Sequence, residues 1–559
     1  MVERLSNEYS GAGWPYEWTV IRSACPLSIS TELEKEIMQY IKQLKLLNYK
    51  RFKEFEVEFD SKINTIIGDN EAGKSTILQA IELLSSGSRH KVEATGIESI
   101  LNKDSVTEFL AGEKTFEKLP EIHVEAYLSD ETNPDLVGRH HSKAPIDASG
   151  LHMVCQPNED LINEINQVLA LDNGNFPFEF YIVKFITFNG EAYSGYRRFL
   201  KCLTIDSSKI NSEHANNEYI RTVYDSTVQH ANRVSLSNEY RLQKIQFKEN
   251  HLKNINEGLG SYELAIRSGS KYNLEADITL TQDDIPIDAR GQGQQCFIKT
   301  EFALNRNAEN NTLDTLLLEE PENHLSHSNM KKLISKISES HQNQIIIATH
   351  SSLISTRLDL RKSILLNSNS DKPLKLNELS ISTSKFFMKA PDNNILEFVL
   401  SRKVMLVEGD AEYMLIDALY KRTTGKTLEE DDVHIISVGG TSFKRYMELA
   451  KTLNIRAAII RDNDNDHQRN CIDNYVDYTA DNIQVFSDTN NNNYTFEVCL
   501  YHKNKSICDN LFSGGNIQKI PLDFMLDNKA ESSLRLVENH SEDLDSPEYI
   551  QQAIQWINE

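Results

Sequence analysis

Two groups of residues in this sequence have the types and spacing that phosphate chemistry needs. Residues 68–76 read GDNEAGKST, after the apolar run 63–67 and before the helical pattern 77–84. A strand, a G-x-x-x-x-G-K-[ST] loop and a helix in that order form a phosphate cradle. Gly68 and Gly73 permit backbone turns that aim successive N–H groups at an anion, and the helix N-terminus adds the positive end of its dipole. Asn70, Gly73, Lys74, Ser75 and Thr76 are then the nucleotide-binding residues. Lys74 reaches the outer phosphates and Ser75 holds Mg²⁺. Far downstream, TLLLEE at 315–320 is an apolar strand ending in two acids. Glu319 is placed to hold Mg²⁺ through water, and Glu320 to orient or deprotonate an attacking water. A further strand at 344–348 leads to His350, the position of a γ-phosphate sensor. The turn containing Gly291 and Gly293 precedes a helix at 296–304 and offers free N–H groups to a γ-phosphate reached from another subunit.

The second group occupies the last third. A strand at 403–407 ends in Glu408-Gly409-Asp410, a strand at 434–438 ends in Gly439-Gly440, and a strand at 456–460 ends in Asp462-Asn463-Asp464, with helices at 411–421 and 442–453 between them. Such alternation builds a parallel sheet whose active groups gather at the C-terminal strand ends. Glu408, Asp462 and Asp464 would converge there, and hard carboxylate oxygens of this kind bind Mg²⁺ or Mn²⁺. Glu412 lies four residues after Glu408, on the first helical turn, so both face the same metals. Tyr494-Thr495-Phe496-Glu497 offers another acid at a strand end, and Lys529 is a lysine beside acids.

The elements that must hold these groups fit an α/β protein. With 559 residues, 39% hydrophobic and 25% charged, the chain has room for several domains with real cores. No apolar run nears the ~20 residues of a membrane span, and seven cysteines without a C-x-x-C argue against disulfides or zinc. The expected location is cytoplasmic, with no membrane partner. A net charge of −24 disfavours a protein that coats nucleic acid, while leaving room for one that grips it locally. The basic groups at 49–53 and 196–201 read as solvated strand edges before DNA contacts.

Residues 1–43 form an extension with Trp14, Trp18 and a helix at 31–43. Residues 44–207 are the first part of the ATPase, with strands across 44–68 and at 121–128, 178–187 and 199–205. Residues 208–268 turn to long polar helices, an insertion suited to self-association. Residues 269–392 complete the ATPase, and 393–559 carry the second centre with C-terminal helices. The run 490–493 reads as a loop.

The four nucleotide-site elements, in this order, resemble the ABC-type ATPases of the SMC and RecF group, which implies ATP sandwiched between two heads and therefore a homodimer or higher oligomer. The glycine turn departs from the usual Ser-Gly-Gly signature. The later E-G and D-x-D pattern resembles the Toprim domain. An ABC-type ATPase followed by Toprim is similar to the OLD (overcoming lysogenization defect) family, including Gabija-type and retron-associated defence effectors. That resemblance implies Glu408, Glu412, Asp462, Asp464 and Glu497 as metal ligands in a two-metal site, and Lys529 as stabiliser of the scissile phosphate or leaving group. Family members carry His-Leu-His-Pro after the Walker B strand, where this chain has His324-Leu325-Ser326-His327. The implied activity is ATP-regulated, metal-dependent DNA cleavage in anti-phage defence, with ATP and Mg²⁺ or Mn²⁺ as cofactors. DNA and a partner defence protein or nucleoprotein sensor are the implied partners. An SMC- or RecF-like repair scaffold, a primase and a topoisomerase-like strand passer are the competing readings.

Overall fold

The computed structural model describes residues 39–559 apart from 131–132, 172–173, 196, 211, 268, 270–272, 311–312, 341–342, 368–369, 391–393, 441 and 515–517. Trp14, Trp18, Tyr196 and most of the helix expected at 31–43 lie outside the described residues.

The chain begins with strands β1 (Ile41–Tyr49), β2 (Phe52–Glu58) and β3 (Ile63–Gly68), and β3 feeds the helix Lys74–Ser86. Next come β4 (Ile122–Leu128), β5 (Val137–Gly138), β6 (Ala148–Pro157), β7 (Tyr181–Thr187) and β8 (Cys202–Asp206). The helices Glu213–Thr227 and His230–Phe247 follow, then a short hairpin of β9 (Thr281–Gln282) and β10 (Ile285–Pro286). The helix Gln292–Asn310 leads to β11 (Thr315–Glu319), β12 (Gln344–Thr349), β13 (Ser363–Asn367) and β14 (Ser370–Lys375). The last part alternates β15 (Lys403–Val407), the helix Asp410–Thr424, β16 (Val433–Ser437), the helix Phe443–Leu453, β17 (Arg456–Ile460) and β18 (Ile483–Phe486).

These strands make three main sheets. An antiparallel sheet runs β2-β1-β4-β6-β5, with β7 also on β6. The nucleotide-loop sheet runs β14-β13-β3-β12-β11-β8, parallel except for its β13–β14 edge. The last sheet runs β16-β15-β17-β18 and is parallel throughout. Sequence texture follows topology. INTIIG and QIIIAT are buried at every position because helices or strands cover both faces of a central parallel strand. YIVKFIT in β7 alternates, burying every second residue, because an antiparallel lobe packs one face.

Residues 41–43 belong to β1 and not to the helix expected through residue 43. β1 pairs on one side with β2 and on the other with β4, and that two-sided pairing outweighs the local helical pattern. Residues 178–180 form a 3-10 turn ahead of β7, and the strand expected at 199–205 starts at Cys202. β6, unmarked in the sequence reading, is the longest strand of the antiparallel lobe. The expected insertion helices are present. Leu236, Leu242, Ile245 and Phe247 on the second of them are 41–50% exposed.

Gln344 joins the two larger sheets. Its side chain, fully buried at the start of β12, accepts from Ile41 N (3.0 Å) and donates to Ile41 O (2.8 Å) and Asp60 O (3.0 Å). Thr315 Oγ1 donates to it at 3.3 Å. One amide thereby satisfies backbone groups at the start of β1 and after β2. Gln344→Leu would strand those groups without water, so the expected loss is on the order of 3 kcal/mol. Urea unfolding of the two proteins measures it, and an unchanged midpoint would refute this role.

Candidate nucleotide site and carboxylate centre

The register of the second sheet sets the first site. Thr349 pairs with Ile67, and Glu319 pairs with Ala348 on one side and Asp206 on the other. The phosphate loop, His350 and the two acids therefore leave the sheet along one edge. Gly73 sits at φ 98°, and a Cβ there would lie 2.4 Å from the Phe52 ring. Arg51 Nη1 donates to Glu71 O at 2.6 Å. The basic stretch at 49–53 thus braces the phosphate loop through Arg51 and Phe52. Lys74 is buried, and its Nζ donates to Gly68 O (2.8 Å) and Asp69 O (2.9 Å), carbonyls of its own loop. Burial lowers its pKa, while the charges of Glu320, Asp69, Glu322 and Glu319 oppose the shift.

Glu319 is raised above the usual carboxylate range, first by burial, against a hydrogen bond from Ser75. That contact joins the two residues expected to hold Mg²⁺. Glu320 takes φ 45°, and its carboxylate meets His350 Nε2 at 3.3 Å and accepts from Asn323 Nδ2 at 2.6 Å. The structure adds Glu322, which the sequence reading left unassigned: its Oε1 accepts from Thr349 Oγ1 (2.6 Å) and His350 N (2.8 Å). It also adds Asp206, at the end of β8 beside Glu319 and paired with Lys209 at 2.7 Å. Gly293 packs against the segment after β11, where a Cβ would lie 2.1 Å from His324 O. Nothing lies within 4 Å of a Cβ at Gly291. Asn70 and Thr76 lie in the loop and on the first turn of the helix it feeds.

The second site is built on β15 and β17. β15 lies between β16 and β17, so the chain reverses direction across the sheet beside it, the position where parallel sheets open a crevice. Glu408 leaves β15, and Arg461 and Asp462 leave β17. Glu412 is buried on the first turn of the helix Asp410–Thr424. Glu497 lies on the first turn of the helix Phe496–Lys503 and not at a strand end, because residues 490–495 form the loop that feeds this helix. Lys529 opens the helix Lys529–His540 and places Nζ 2.9 Å from Glu497 Oε2. Asn463 is buried, and its Nδ2 donates to Asp488 O, Asn490 O and Asn493 O, pinning the asparagine loop.

The electrostatics show which charges act on one another. Burial pushes the Asp462 carboxyl up to about 8, helped by Glu412, Glu497 and Glu408. Burial pushes Glu412 up to about 7, helped by Glu497. Lys529 is raised despite burial because Glu497, Asp462 and Glu412 surround it. Asp464 takes another partner: it lies 2.6 Å from Arg461 Nη2, while Arg461 Nη1 bonds Glu408. Arg461 was missed in the sequence, where a basic residue before an acid has no signal of its own. Among the described residues no group of three or more histidine, cysteine, aspartate or glutamate side chains stands arranged to hold a metal ion. In chemical type, the carboxylate oxygens here are those a hard cation takes. Both Glu497 oxygens are buried without an aligned hydrogen bond, and Asp462 and Glu412 resist ionising together.

The sign of the pH effect follows. The native state favours the protonated forms of Glu412 and Asp462, so their contribution to stability is full below ordinary carboxylate values and is lost as pH rises through about 7 and about 8. Metal-free protein should lose thermal stability between pH 6 and pH 8.5, and Asp462→Asn should lose less. Mn²⁺ affinity, followed by calorimetry, should rise over the same window with release of protons. A pH-independent affinity would contradict this assignment.

Comparison with known proteins matches this architecture. The family model "Overcoming lysogenization defect protein-like, TOPRIM domain" matches residues 399–464, and the "AAA ATPase domain" model matches residues 39–170 and 156–354. The DNA replication and repair protein RecF of Clostridium kluyveri is 38% identical over 89 residues, 15% of this chain and 24% of that protein. RecF of Bacillus subtilis is 38% identical over 52 residues, 9% and 14% of the two chains. The chain thus spans a quarter or less of the length of these relatives. Among solved structures, the C-terminal region of the Xanthomonas campestris pv. campestris OLD protein is 23% identical, covering 28% of this chain and 94% of that one, with a TM-score of 0.23. An Smc head bound to the C-winged helix domain of ScpA is 18% identical, covering 61% and 100%, with a TM-score of 0.33. Both are likenesses of fold alone. With the AAA ATPase domain model across more than half its length, the chain belongs to the AAA ATPase family, and an overcoming-lysogenization-defect-like Toprim domain follows that ATPase.

Proposed function

We propose that the chain is a divalent-metal-dependent DNA endonuclease whose activity is governed by its nucleotide site. The observation that carries this reading is that Lys529 lies 2.9 Å from Glu497, beside the strand ends of the Toprim sheet, where the charges of Asp462 and Glu412 also act on it. Glu408, Glu412, Asp462 and Glu497 supply hard oxygen donors for Mg²⁺ or Mn²⁺. A bound cation of that kind supplies Lewis acidity and lowers the pKa of water. Lys529, held by Glu497, contributes fixed positive charge where a phosphodiester accumulates negative charge during in-line attack. The RecF relatives are DNA replication and repair proteins, which favours DNA as the polymer.

At the other site, Lys74 and the loop N–H groups hold the phosphates of ATP, Ser75 and Glu319 hold Mg²⁺, Glu320 orients water, and His350 reports the γ-phosphate. Gly291 and Gly293 would face ATP bound by a second copy of the chain, making a dimer the working unit, with the helices after β8 as a further contact between copies. A place in anti-phage defence, with a protein or nucleoprotein sensor as partner, completes the reading.

Plasmid cleavage with Mg²⁺ or Mn²⁺, with and without ATP, tests it. Asp462→Asn should slow cutting by on the order of 10²-fold or more. Lys74→Ala should cut yet respond differently to ATP. Cleavage by Asp462→Asn at the wild-type rate would end the nuclease reading.

A further inference from the structure

Glu322 has no part in the nucleotide chemistry outlined above, yet one of its oxygens holds the turn on which His350 sits. β12 ends at Thr349, and the helix Ser352–Arg357 starts just beyond, capped by the Ser351 side chain. The backbone N–H groups of His350 and Ser351 find their partners outside both elements. Glu322 Oε1 accepts from His350 N at 2.8 Å and from Thr349 Oγ1 at 2.6 Å. The same Thr349 hydroxyl accepts from Ser351 N at 2.9 Å. One carboxylate oxygen therefore fixes His350 directly and Ser351 through Thr349, a fully buried residue. Glu322 is itself held, its carbonyl accepting from Leu325 N at 3.1 Å. Two residues earlier, Glu320 Oε1 meets the His350 ring at Nε2, 3.3 Å away. The segment after β11 thus grips His350 twice, by its ring through Glu320 and by its backbone through Glu322.

We infer that Glu322 is a positioning residue for nucleotide recognition: it sets the backbone from which His350 reaches a γ-phosphate, and it acts on the nucleotide only through that histidine. The inference rests on the nucleotide-site reading and deepens it. A histidine tells a nucleoside triphosphate from a diphosphate only when its ring is held at a fixed place relative to the third phosphate. The His350 side chain is 36% exposed, so packing covers only part of it and its direction depends on the backbone beneath. A glutamate suits the task because a charged acceptor makes shorter, stronger hydrogen bonds to N–H and O–H groups than a neutral one. Its carboxylate oxygen also has the lone pairs to take both bonds at once.

The test is a double-mutant cycle on nucleotide preference. Binding of ATP and of ADP, each with Mg²⁺, to the full chain is measured by calorimetry, and the readout is the Kd for ADP divided by that for ATP. The wild type should prefer ATP, and Glu322→Ala and His350→Ala should each lower that preference by about tenfold. The double variant should lower it no further, because the two residues act as one unit. Glu322→Gln keeps an acceptor oxygen in place and should retain most of the preference. Thr349→Val removes only the hydroxyl link, should shift the ratio in the same direction, and carries the test where Glu322→Ala fails to fold. Additive losses in the double variant, an unchanged ratio in Glu322→Ala or Thr349→Val, or a loss in Glu322→Gln as large as in Glu322→Ala would overturn the inference. An unchanged ratio in His350→Ala would instead remove the sensor on which the inference stands. A wild type that binds neither nucleotide would remove the nucleotide-site reading itself.

Discussion

A parallel sheet sends all its strand ends the same way, and this chain loads acids onto that edge twice. At the first edge Asp206, Glu319, Glu320 and Glu322 crowd around the phosphate loop, and at the second Glu408, Glu412, Asp462, Asp464 and Glu497 crowd around β15 and β17. Like charges in a poorly hydrated crevice raise one another's pKa and oppose folding unless cations answer them. The chain supplies some of those cations itself. Lys74 and Lys209 serve the first edge, and Arg461 and Lys529 the second. The remaining negative charge is what a cationic or metal-bearing ligand would answer, and it is the physical ground on which both edges are proposed as sites.

The two edges are mechanically connected. Ile67 at the end of β3, directly before the phosphate loop, belongs to the same buried cluster as Leu365 of β13, Phe387, Phe398, and Val404, Leu406 and Ile459 of the last sheet. Close-packed side chains transmit displacement because they have few voids to absorb it. A displacement of the phosphate loop would therefore be felt at the strands that present Glu408 and Asp462. This continuous core is the physical route that the proposed nucleotide control of the second centre would use.

Much of this was legible in the residues. The phosphate loop, β11, β12, β15 and β17 fall where apolar runs and glycine punctuation put them, because buried parallel strands are short, uniformly apolar and end abruptly in polar groups. Less legible were β1, whose start reads as helix, and β6, whose pairing partners come from distant sequence. The strand end expected at Glu497 became a helix start because the asparagine loop is fastened to Asn463, a contact no local pattern announces.

By itself the sequence determined the order of the ATPase and Toprim domains and named most of the acids that the two parallel sheets carry at their strand ends, since motif spacing follows from covalent geometry and strand length. Only the tertiary structure decided who faces whom. It placed Glu322 under His350, Asp206 beside Glu319 and Arg461 between Glu408 and Asp464. Those partnerships depend on strand order and register, which bring together residues far apart in the chain, and on which charges end up too deeply buried to be answered by water.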